Sequence, residues 1–336
     1  MDLSIIIPVY NVEEYIHACI ESIYEQGLED ASFEVIIVDD GSEDKSLERI
    51  AGFSGQHPNM TIIHQSNQGL SAARNNGLAA AKGEYVMLMD SDDLLFRDSL
   101  PLLLDKALES KADLVSADFI QMNDEEIAQL KSGYPPQEEF EMQEMEGEDF
   151  FLNCLDPHSC YVWHTLYRRA FLTANGISFI PGIFYEDIPF THECYLRAGK
   201  GLSVRRTLYI YRERSSGSIT SHFTYEKAAS YCKAIASTWR LRGLDGLSPR
   251  KLHKLEEDVY CSFSMLIYHT IAGISKASER RQLMLLLNAE APGLRFTHGI
   301  RQRLTTFMIR RAPALFIELY YIYTQIKHKK SAIWTK

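Results

Sequence analysis

The sequence lacks the features that mark several classes of protein. No Cys-x-x-Cys pair occurs among its six cysteines, and their wide spacing predicts neither a zinc site nor a disulfide framework. No uninterrupted apolar run reaches the roughly 18 residues that a membrane-spanning helix needs. No Gly-x-Gly-x-x-Gly follows the first apolar run, which argues against a dinucleotide oxidoreductase. Asp2 stands where a signal peptide would carry basic residues, so the cytoplasm is the expected compartment.

Positive charge is scarce over most of the chain. The net charge is −10, and a nucleic-acid partner is not expected, because phosphate binding needs a basic face. Residues 300–336 are the exception. They hold eight Lys or Arg and one Glu, a net +7, which leaves −17 for the first 299 residues. An acidic body with a basic tail predicts that the tail contacts something anionic.

What the sequence does contain is an alternation of apolar strands and helical segments. The apolar runs near 3–9, 33–39, 60–64 and 84–90 predict an α/β fold with a mostly parallel sheet covered on both faces. Ligands of such sheets bind outside the carboxyl ends of the strands. Three polar strand ends are expected to face one crevice, namely Pro8-Val9-Tyr10-Asn11, Asp39-Asp40-Gly41-Ser42 and Asp90-Ser91-Asp92-Asp93.

The residues at these ends have two interpretations each. Asp-x-Asp is either a hard oxygen site for a divalent cation that neutralises a diphosphate, or a turn in which Asp92 or Asp93 caps the next helix. Asp39 and Asp40 either cap the following helix or accept from a base N–H or a ribose hydroxyl. Arg74 either lies on a helix surface or reaches a nucleobase or a phosphate.

The rest of the chain divides by composition. Residues 124–149 hold ten acidic residues and one lysine, and we expect a solvated loop or insertion there. From about residue 225 onward helical patterns dominate, with breaks near 243–249 and 291–293.

Taken together, the motifs resemble those of one family. SIIIPVYNVEEYI, FEVIIVDDGSEDKS, NQGLSAARNNGLAAAKGEYVMLMDSDD and FYEDIPF follow in order between about residues 3 and 220 and are similar to the family 2 glycosyltransferases. These are inverting enzymes with the GT-A fold, a Rossmann-like sheet with helices on both faces. The resemblance implies a nucleotide-diphosphate sugar donor, most often a UDP-sugar, bound with Mn²⁺ or Mg²⁺.

The resemblance also implies a domain division and a donor site. A GT-A catalytic domain would cover 1–222, with a nucleotide-sugar half over about 1–120 and an acceptor half over about 150–222, and a helical region would cover 223–336. Asp92 would be the main metal ligand, supported by Asp90. For Asp93 the local sequence favours the other interpretation, a cap on the next helix. The remaining residues implied for the donor site are Pro8, Val9, Tyr10, Asn11, Glu13, Asp39, Asp40, Arg74 and Ser91.

The catalytic base of the family follows an aromatic residue in an acidic pair, which matches Tyr185-Glu186-Asp187 here. Asp187 would be the base and Glu186 its neighbour. The chemistry requires such a group, since an acceptor hydroxyl must lose its proton as it attacks the anomeric carbon. The alternative is that both acids begin a helix, where the dipole favours negative charge.

A third group of residues is assigned to the acceptor and to a loop. Trp163 matches a family position near the acceptor, with a buried core residue as the alternative. Arg212, Arg214 and Ser218 would hold diphosphate or acceptor in the loop after the last strand. His222 would complete the metal shell, and His192 is a weaker candidate for the same role.

The basic aromatic tail has two open interpretations. It is either an interfacial helix on an anionic membrane near a lipid-linked acceptor, or a helix packed on the protein or in a homodimer. Its apolar part is short and broken by Glu318, which excludes a membrane span.

The function that follows is transfer of a hexosyl or N-acetylhexosaminyl group to a glycan or lipid-linked saccharide in bacterial surface polysaccharide biosynthesis. The enzyme would be cytoplasmic, or peripheral on the inner face of the plasma membrane. The alternative is a catalytically silent protein of the same fold that binds nucleotide sugars as a scaffold.

Overall fold

The computed structural model describes residues 1–130, 133–135, 137, 141–214 and 223–334, the last ten of these by backbone alone. The chain divides into two compact units. The first comprises Met1–Leu155, Cys160–Gly182 and Phe190–Ser218, and the second comprises Asp156–Ser159, Ile183–Pro189 and Ile219–Lys336. The boundary predicted after residue 222 borders on a stretch outside the described residues, and the predicted domain division stays a prediction.

The first unit alternates strands and helices. Its strands are β1 (Leu3–Val9), β2 (Phe33–Asp39), β3 (Met60–His64), β4 (Tyr85–Leu88), β5 (Leu94–Leu95), β6 (Leu114–Asn123), β7 (Glu141–Glu146), β8 (Thr165–Arg168) and β9 (Lys200–Glu213). Its helices are α1 (Ile16–Tyr24), α2 (Ser46–Ser54), α3 (Leu70–Ala80), α4 (Leu100–Ser110), α5 (Asp124–Leu130), α6 (Gly147–Cys154) and α7 (Arg169–Asn175). Helix α8 (Asp187–Arg197) has residues in both units.

The described strands form one mixed sheet in the order β3-β2-β1-β4-β8-β6-β9-β5, with β7 paired to β9. All three pairings among β1 to β4 are parallel, as predicted. Beyond them, β8 is antiparallel to β4 and β6, and β5 and β7 are antiparallel to β9. Parallel pairing thus dominates the half of the sheet whose strands are continuous apolar runs.

The core of the first unit explains how close its helices come to the sheet. Every residue of β1 and β2 is buried, which means that both faces of these strands are covered. A Cβ atom at Gly77 would lie 2.2 Å from Cγ2 of Ile6, so only glycine lets α3 approach β1 this closely. Because α3 lies this close to the sheet, Arg74, one turn earlier on α3, reaches Asp90 just after the end of β4.

The loop after β1 and one predicted loop fold as follows. Helix α1 begins at Ile16, five residues after Asn11, because Asn11 is left-handed (φ +50°) and its Oδ1 accepts from the N–H of Glu43 at 2.9 Å. The segment 124–149, predicted as a loop, contains α5 and β7. Three acids of this segment begin α5, where the helix dipole favours them, and the glutamates of β7 are exposed at a sheet edge.

The second unit is helical, as predicted. Its helices are α9 (Tyr225–Arg240), α10 (Pro249–Gly273), α11 (Ala277–Glu290), α12 (Gly299–Arg311) and α13 (Pro313–Trp334), and a 3₁₀ turn covers Leu241–Gly243. Thr224 and Ser248 cap α9 and α10 by accepting backbone N–H groups. No helix within the described part of the chain is long and apolar enough to cross a bilayer.

Candidate functional site

Three polar strand ends meet at one edge of the sheet. Strand β1 lies between β2 and β4, and all three are parallel, so their carboxyl ends share that edge. The loops after them are joined by hydrogen bonds. The N–H of Asp40 donates to the carbonyl of Val9 at 2.9 Å, and the N–H of Asn11 donates to Oγ of Ser42 at 3.3 Å. The predicted convergence of the first two strand ends is therefore present as direct contact.

The end of β1 offers one exposed aromatic ring. Pro8 and Val9 are buried, whereas Tyr10 is 47% exposed. Glu13 is tied to the loop after β2, because its Oε2 accepts from the N–H of Lys45 at 2.8 Å and its own N–H donates to Asp44. Among these residues, Tyr10 is the one whose side chain is open to a planar ligand.

The two acids at the end of β2 are occupied within the protein. Asp40 is buried, and its carboxylate accepts from the side chain of Gln65 and from the N–H groups of Gln68 and Gly69 at 2.7–2.8 Å. Asp39 accepts from the N–H of Ser42. Asp40 thereby fixes the turn that leads into α3, and its predicted bond to a nucleobase stays a prediction.

The end of β4 places Asp90 against a buried arginine. Nη2 of Arg74 donates to Oδ1 of Asp90 at 2.7 Å, and Arg74 is only 1% exposed. The guanidinium also lies 5.2 Å from the ring of Phe179. The N–H of Asp90 donates to Oη of Tyr209 at 3.0 Å. Arg74 is thus no helix-surface residue, because it holds the first carboxylate of the Asp-x-Asp motif.

The second carboxylate of the motif is paired with another arginine. Nε of Arg214 donates to Oδ2 of Asp92 at 2.5 Å, and its Nη2 contacts the same oxygen. Arg212 donates from Nε to the carbonyl of Asp92 at 2.7 Å and from Nη1 to Asp124. Both guanidinium groups lie over the ring of Tyr15, at 5.2 and 4.7 Å from its centre. Arg212 and Arg214 therefore contact the Asp-x-Asp motif itself, and their predicted role in holding diphosphate or acceptor stays a prediction.

Asp93 does not cap a helix, contrary to the prediction. It is 1% exposed, and its Oδ1 accepts from the backbone N–H of Arg212 at 2.8 Å, which ties the motif to β9. The next element is the short strand β5, not a helix. Asp93 therefore fixes the position of the motif against β9. This contact could not be predicted from the neighbouring sequence, because the partner of Asp93 lies 119 positions away.

Negative charge accumulates at this edge. Burial raises the pKa of Asp92, and the charge of Asp90 raises it further, while Arg214 opposes both. Burial and the charges of Asp92 and Asp90 raise the pKa of Asp93 well above its usual value. Burial and the same acids raise the pKa of Tyr211 to about 12. Added positive charge would stabilise the ionised acids, which is the electrostatic demand that a cation meets.

The oxygen atoms of Asp90 and Asp92 fit a divalent cation whose remaining ligands come from outside the protein. The described residues contain no group of three or more His, Cys, Asp or Glu able to hold a metal. Asp90 and Asp92 each give one oxygen to an arginine, and no described residue bonds the other oxygen of either. Two carboxylates are what Mg²⁺ commonly takes from a protein when phosphates and waters supply the rest.

The other predicted residues are found as follows. Trp163 is 1% exposed and stacks on Tyr209, which favours the core alternative, and its role near the acceptor stays a prediction. His192 is fully buried, with Nδ1 3.8 Å from Sγ of Cys160. Ser91 is buried beside the two motif acids. The assignments of Ser218 and His222 lie outside the described residues.

The acidic pair lies in the second unit and is described there. Glu186 is buried, and Asp187 is the first residue of α8. Tyr185 before them has φ +63°, a left-handed conformation that is rare for a bulky residue, and its ring stacks on Tyr231 at 4.5 Å. Such strain persists where the surroundings enforce it, and it concentrates at functional sites.

The sequence did not identify three aromatic residues of the edge, namely Tyr15, Tyr209 and Tyr211. The ring of Tyr15 lies against the guanidinium groups of Arg212 and Arg214, and the hydroxyl of Tyr209 accepts from the N–H of Asp90. The charges of all three motif acids raise the pKa of Tyr211. The alternation of Tyr209 and Tyr211 along β9 was the available signal, since residues two apart point to the same face of a strand.

Comparison with known proteins relates this chain to sugar-transferring enzymes. The family described as Glycosyl transferase family 2 matches residues 4–172. The chain is 34% identical over 215 residues to the uncharacterised glycosyltransferase EpsJ of Bacillus subtilis, a match covering 63% of this chain and 61% of that protein. It is 30% identical over 254 residues to the glycosyltransferase GlyG of Streptococcus pneumoniae, covering 72% and 82%. The match thus spans less than two thirds of EpsJ.

Solved structures agree on the architecture. Residues 1–349 of S. aureus TarS in complex with UDP-GlcNAc give a TM-score of 0.77 at 22% identity, covering 98% of this chain and 92% of that one. The mannosyltransferase PcManGT of Pyrobaculum calidifontis, in complex with GDP-Man and Mn²⁺, gives 0.52 at 16% identity, covering 96% and 87%. The predicted GT-A fold with a helical C-terminal region is confirmed.

Proposed function

Because the chain belongs to glycosyl transferase family 2, we propose that it moves a sugar from a UDP-sugar to a hydroxyl group of a glycan or lipid-linked saccharide. The sugar is a hexosyl or N-acetylhexosaminyl group, and the product belongs to a bacterial surface polysaccharide. The observation that carries the proposal is that Tyr10 follows β1 while Asp90 and Asp92 follow β4, its parallel neighbour, with Asp90 bonded to the buried Arg74. TarS, similar in fold, was solved with UDP-GlcNAc.

The donor binds across the strand ends. The exposed ring of Tyr10 stacks on the base, while Asn11 and Glu13 line the nucleoside pocket. Arg74 orients Asp90 towards the ribose or the metal, since its guanidinium holds one oxygen of that carboxylate. Planar aromatic surface and fixed polar groups are the usual components of such a site.

Asp92 and Asp90 would hold Mn²⁺ or Mg²⁺, which when bound neutralises charge on the diphosphate leaving group. Arg214 pairs with the carboxylate of Asp92 and Arg212 donates to the backbone carbonyl of the same residue, so both supply further positive charge to the leaving group. Interactions that strengthen as the leaving group gains charge accelerate the reaction.

Asp187 is the base of the proposed reaction. The acceptor oxygen forms a bond to the anomeric carbon, its proton passes to the carboxylate of Asp187, and the bond to the nucleotide diphosphate breaks on the opposite face. The configuration of the anomeric carbon is thereby inverted. The strained backbone of Tyr185 supports this assignment, because it fixes the start of α8 and so the position of the acidic pair.

A donor screen tests the proposal. The purified chain is incubated with single nucleotide sugars, with Mn²⁺ or with a chelator, and both the thermal shift of the protein and the release of the nucleotide diphosphate are measured. We expect slow metal-dependent hydrolysis of a UDP-sugar that accelerates when a saccharide acceptor is added. Binding of a UDP-sugar without any turnover would support the catalytically silent alternative. No response to any nucleotide sugar would contradict both.

A further inference from the structure

The last two helices carry exposed apolar side chains in a regular pattern. On α12, Ile300, Leu304 and Phe307 are 80%, 60% and 61% exposed. On α13, Leu315, Leu319 and Ile322 are 54%, 50% and 53% exposed. Both sets follow the spacing i, i+4, i+7, which places three residues on one face of a helix. We call these the apolar stripes.

The opposite faces of both helices pack on the second unit. Ile309 of α12 is 3% exposed and Ile317 of α13 is fully buried. Arg280 of α11 is 3% exposed, donates to both oxygens of Glu318, and lies 3.8 Å from the ring of Tyr321. The tail therefore packs on the protein through one face, and the apolar stripes stay outside that contact. Of the interpretations left open by the sequence, packing on the protein accounts for this face of the tail alone.

Positive charge flanks the first stripe. Four exposed arginines lie on α12 around its apolar stripe, with Arg301 and Arg310 on opposite sides of it, and we call them together the arginine face: Arg301, Arg303, Arg310 and Arg311. None of them forms an ion pair with any residue that the structure describes. Arg310 and Arg311 suit the C-terminal end of a helix dipole, but Arg301 lies in the first turn, where the dipole opposes it. Glu318 is the only acidic residue between 299 and 324, and it is used by Arg280.

We propose that the arginine face and the apolar stripes form a docking surface for an anionic lipid bilayer. An interfacial helix places its apolar face into the boundary between headgroups and acyl chains while flanking arginines meet anionic headgroups. The charge pattern favours lipid over a second copy of this chain, since a self-complementary contact would bring the arginine faces of two copies, without acidic partners, close together. This inference rests on the proposed function only for the role of the surface, which is to bring the enzyme to a lipid-linked acceptor.

Vesicle binding tests this inference without donor or acceptor, so its outcome is independent of the proposed enzymatic function. The full chain is sedimented with vesicles of equal phosphatidylglycerol and phosphatidylcholine, and with vesicles of phosphatidylcholine alone. We expect binding to the anionic vesicles that weakens as salt is raised. Each basic residue near an anionic surface contributes roughly a five-fold factor, so Arg301→Gln with Arg310→Gln should weaken binding about 25-fold.

Matched variants separate the surface from general charge. Arg49→Gln with Lys233→Gln removes two exposed positive charges elsewhere and should change binding little. Leu304→Glu with Leu319→Glu should reduce binding at least about ten-fold, whereas Met142→Glu, an exposed apolar position in β7, should not. These positions are exposed, so folding should persist, and circular dichroism checks it.

Three results would overturn the inference. The first is equal binding by the Arg301/Arg310 and the Arg49/Lys233 variants. The second is no binding of the wild-type chain to anionic vesicles. The third is a lipid-free dimer, seen by sedimentation velocity, that the Leu304/Leu319 variant dissociates. That dimer would assign the stripes to a protein interface.

Discussion

The edge formed by Asp90, Asp92 and Asp93, here called the acid edge, and the arginine face each gather like charges but balance them differently. At the acid edge, Arg74 and Arg214 pair with Asp90 and Asp92 inside the first unit. On the arginine face, no described residue supplies an opposite charge. The carboxylates of the acid edge are held in place by ion pairs before a ligand binds, and a ligand must fit around those ion pairs. An uncompensated surface cluster depends on an anion from outside the protein.

The largest expected effect is a loss of transfer rate without a loss of donor affinity, which would separate the role of the proposed base from that of the acid edge. Asp187→Asn should lower the transfer rate by about 10²–10⁴-fold, the usual contribution of a general base, and leave donor affinity unchanged. The measurement is single-turnover transfer together with calorimetric titration of the donor. If this variant transferred sugar at the wild-type rate, the base assignment would be wrong.

Next in size is a contrast within the acid edge itself. Asp92→Asn should reduce metal-dependent transfer about 10²–10³-fold, the loss found when one group that stabilises transition-state charge is removed. Asp93→Asn is the matched control. Its buried carboxyl has a raised pKa, and asparagine retains the oxygen that accepts from Arg212, so activity should stay within a few-fold of wild type. Equal losses in the two variants would contradict the division of roles.

These two acids also show where sequence reasoning succeeds and where it stops. The strand ends were predictable because apolar runs of four to seven residues specify parallel strands whose carboxyl ends share an edge. The contacts of Asp93 with Arg212 and of Asp92 with Arg214 were not, because each joins positions about 120 apart. The left-handed conformation of Asn11 was not predictable either, because its side chain accepts from the loop that follows β2.

The same limit applies to the tail. The periodicity of 300–323 predicted helices, and the net charge predicted an anionic partner, but the sequence left both orientations of those helices open. The buried bond between Arg280 and Glu318 decides which face packs, and nothing near Arg280 in the sequence points to residue 318.

A stability measurement sharpens the comparison further. Arg74→Gln should cost about 3 kcal/mol of the free energy of unfolding, because it leaves Asp90 without its buried partner. The matched control is Arg97→Gln, whose pair with Glu25 is exposed and should contribute less than about 1 kcal/mol. Urea denaturation of both variants gives the two values, and similar losses would mean that the Arg74 pair does not organise the edge.

The smallest expected effect concerns the arginine face. Arg301→Gln with Arg310→Gln should change the free energy of unfolding by less than about 0.5 kcal/mol in the absence of lipid, since these side chains are exposed and make no ion pair with described residues. Urea denaturation measures it. A large loss would show that the arginines stabilise the fold, and the contrast with the acid edge would disappear.

The central claim is that the acid edge binds a nucleotide diphosphate together with a divalent cation. Calorimetric titration of UDP into the wild-type chain and into Asp92→Asn, each with Mn²⁺ and with a chelator, tests it most directly. The account predicts that Mn²⁺ strengthens UDP binding to the wild-type chain and has little effect on binding to the variant. Identical UDP affinity with Mn²⁺ and with the chelator in the wild-type chain would contradict it.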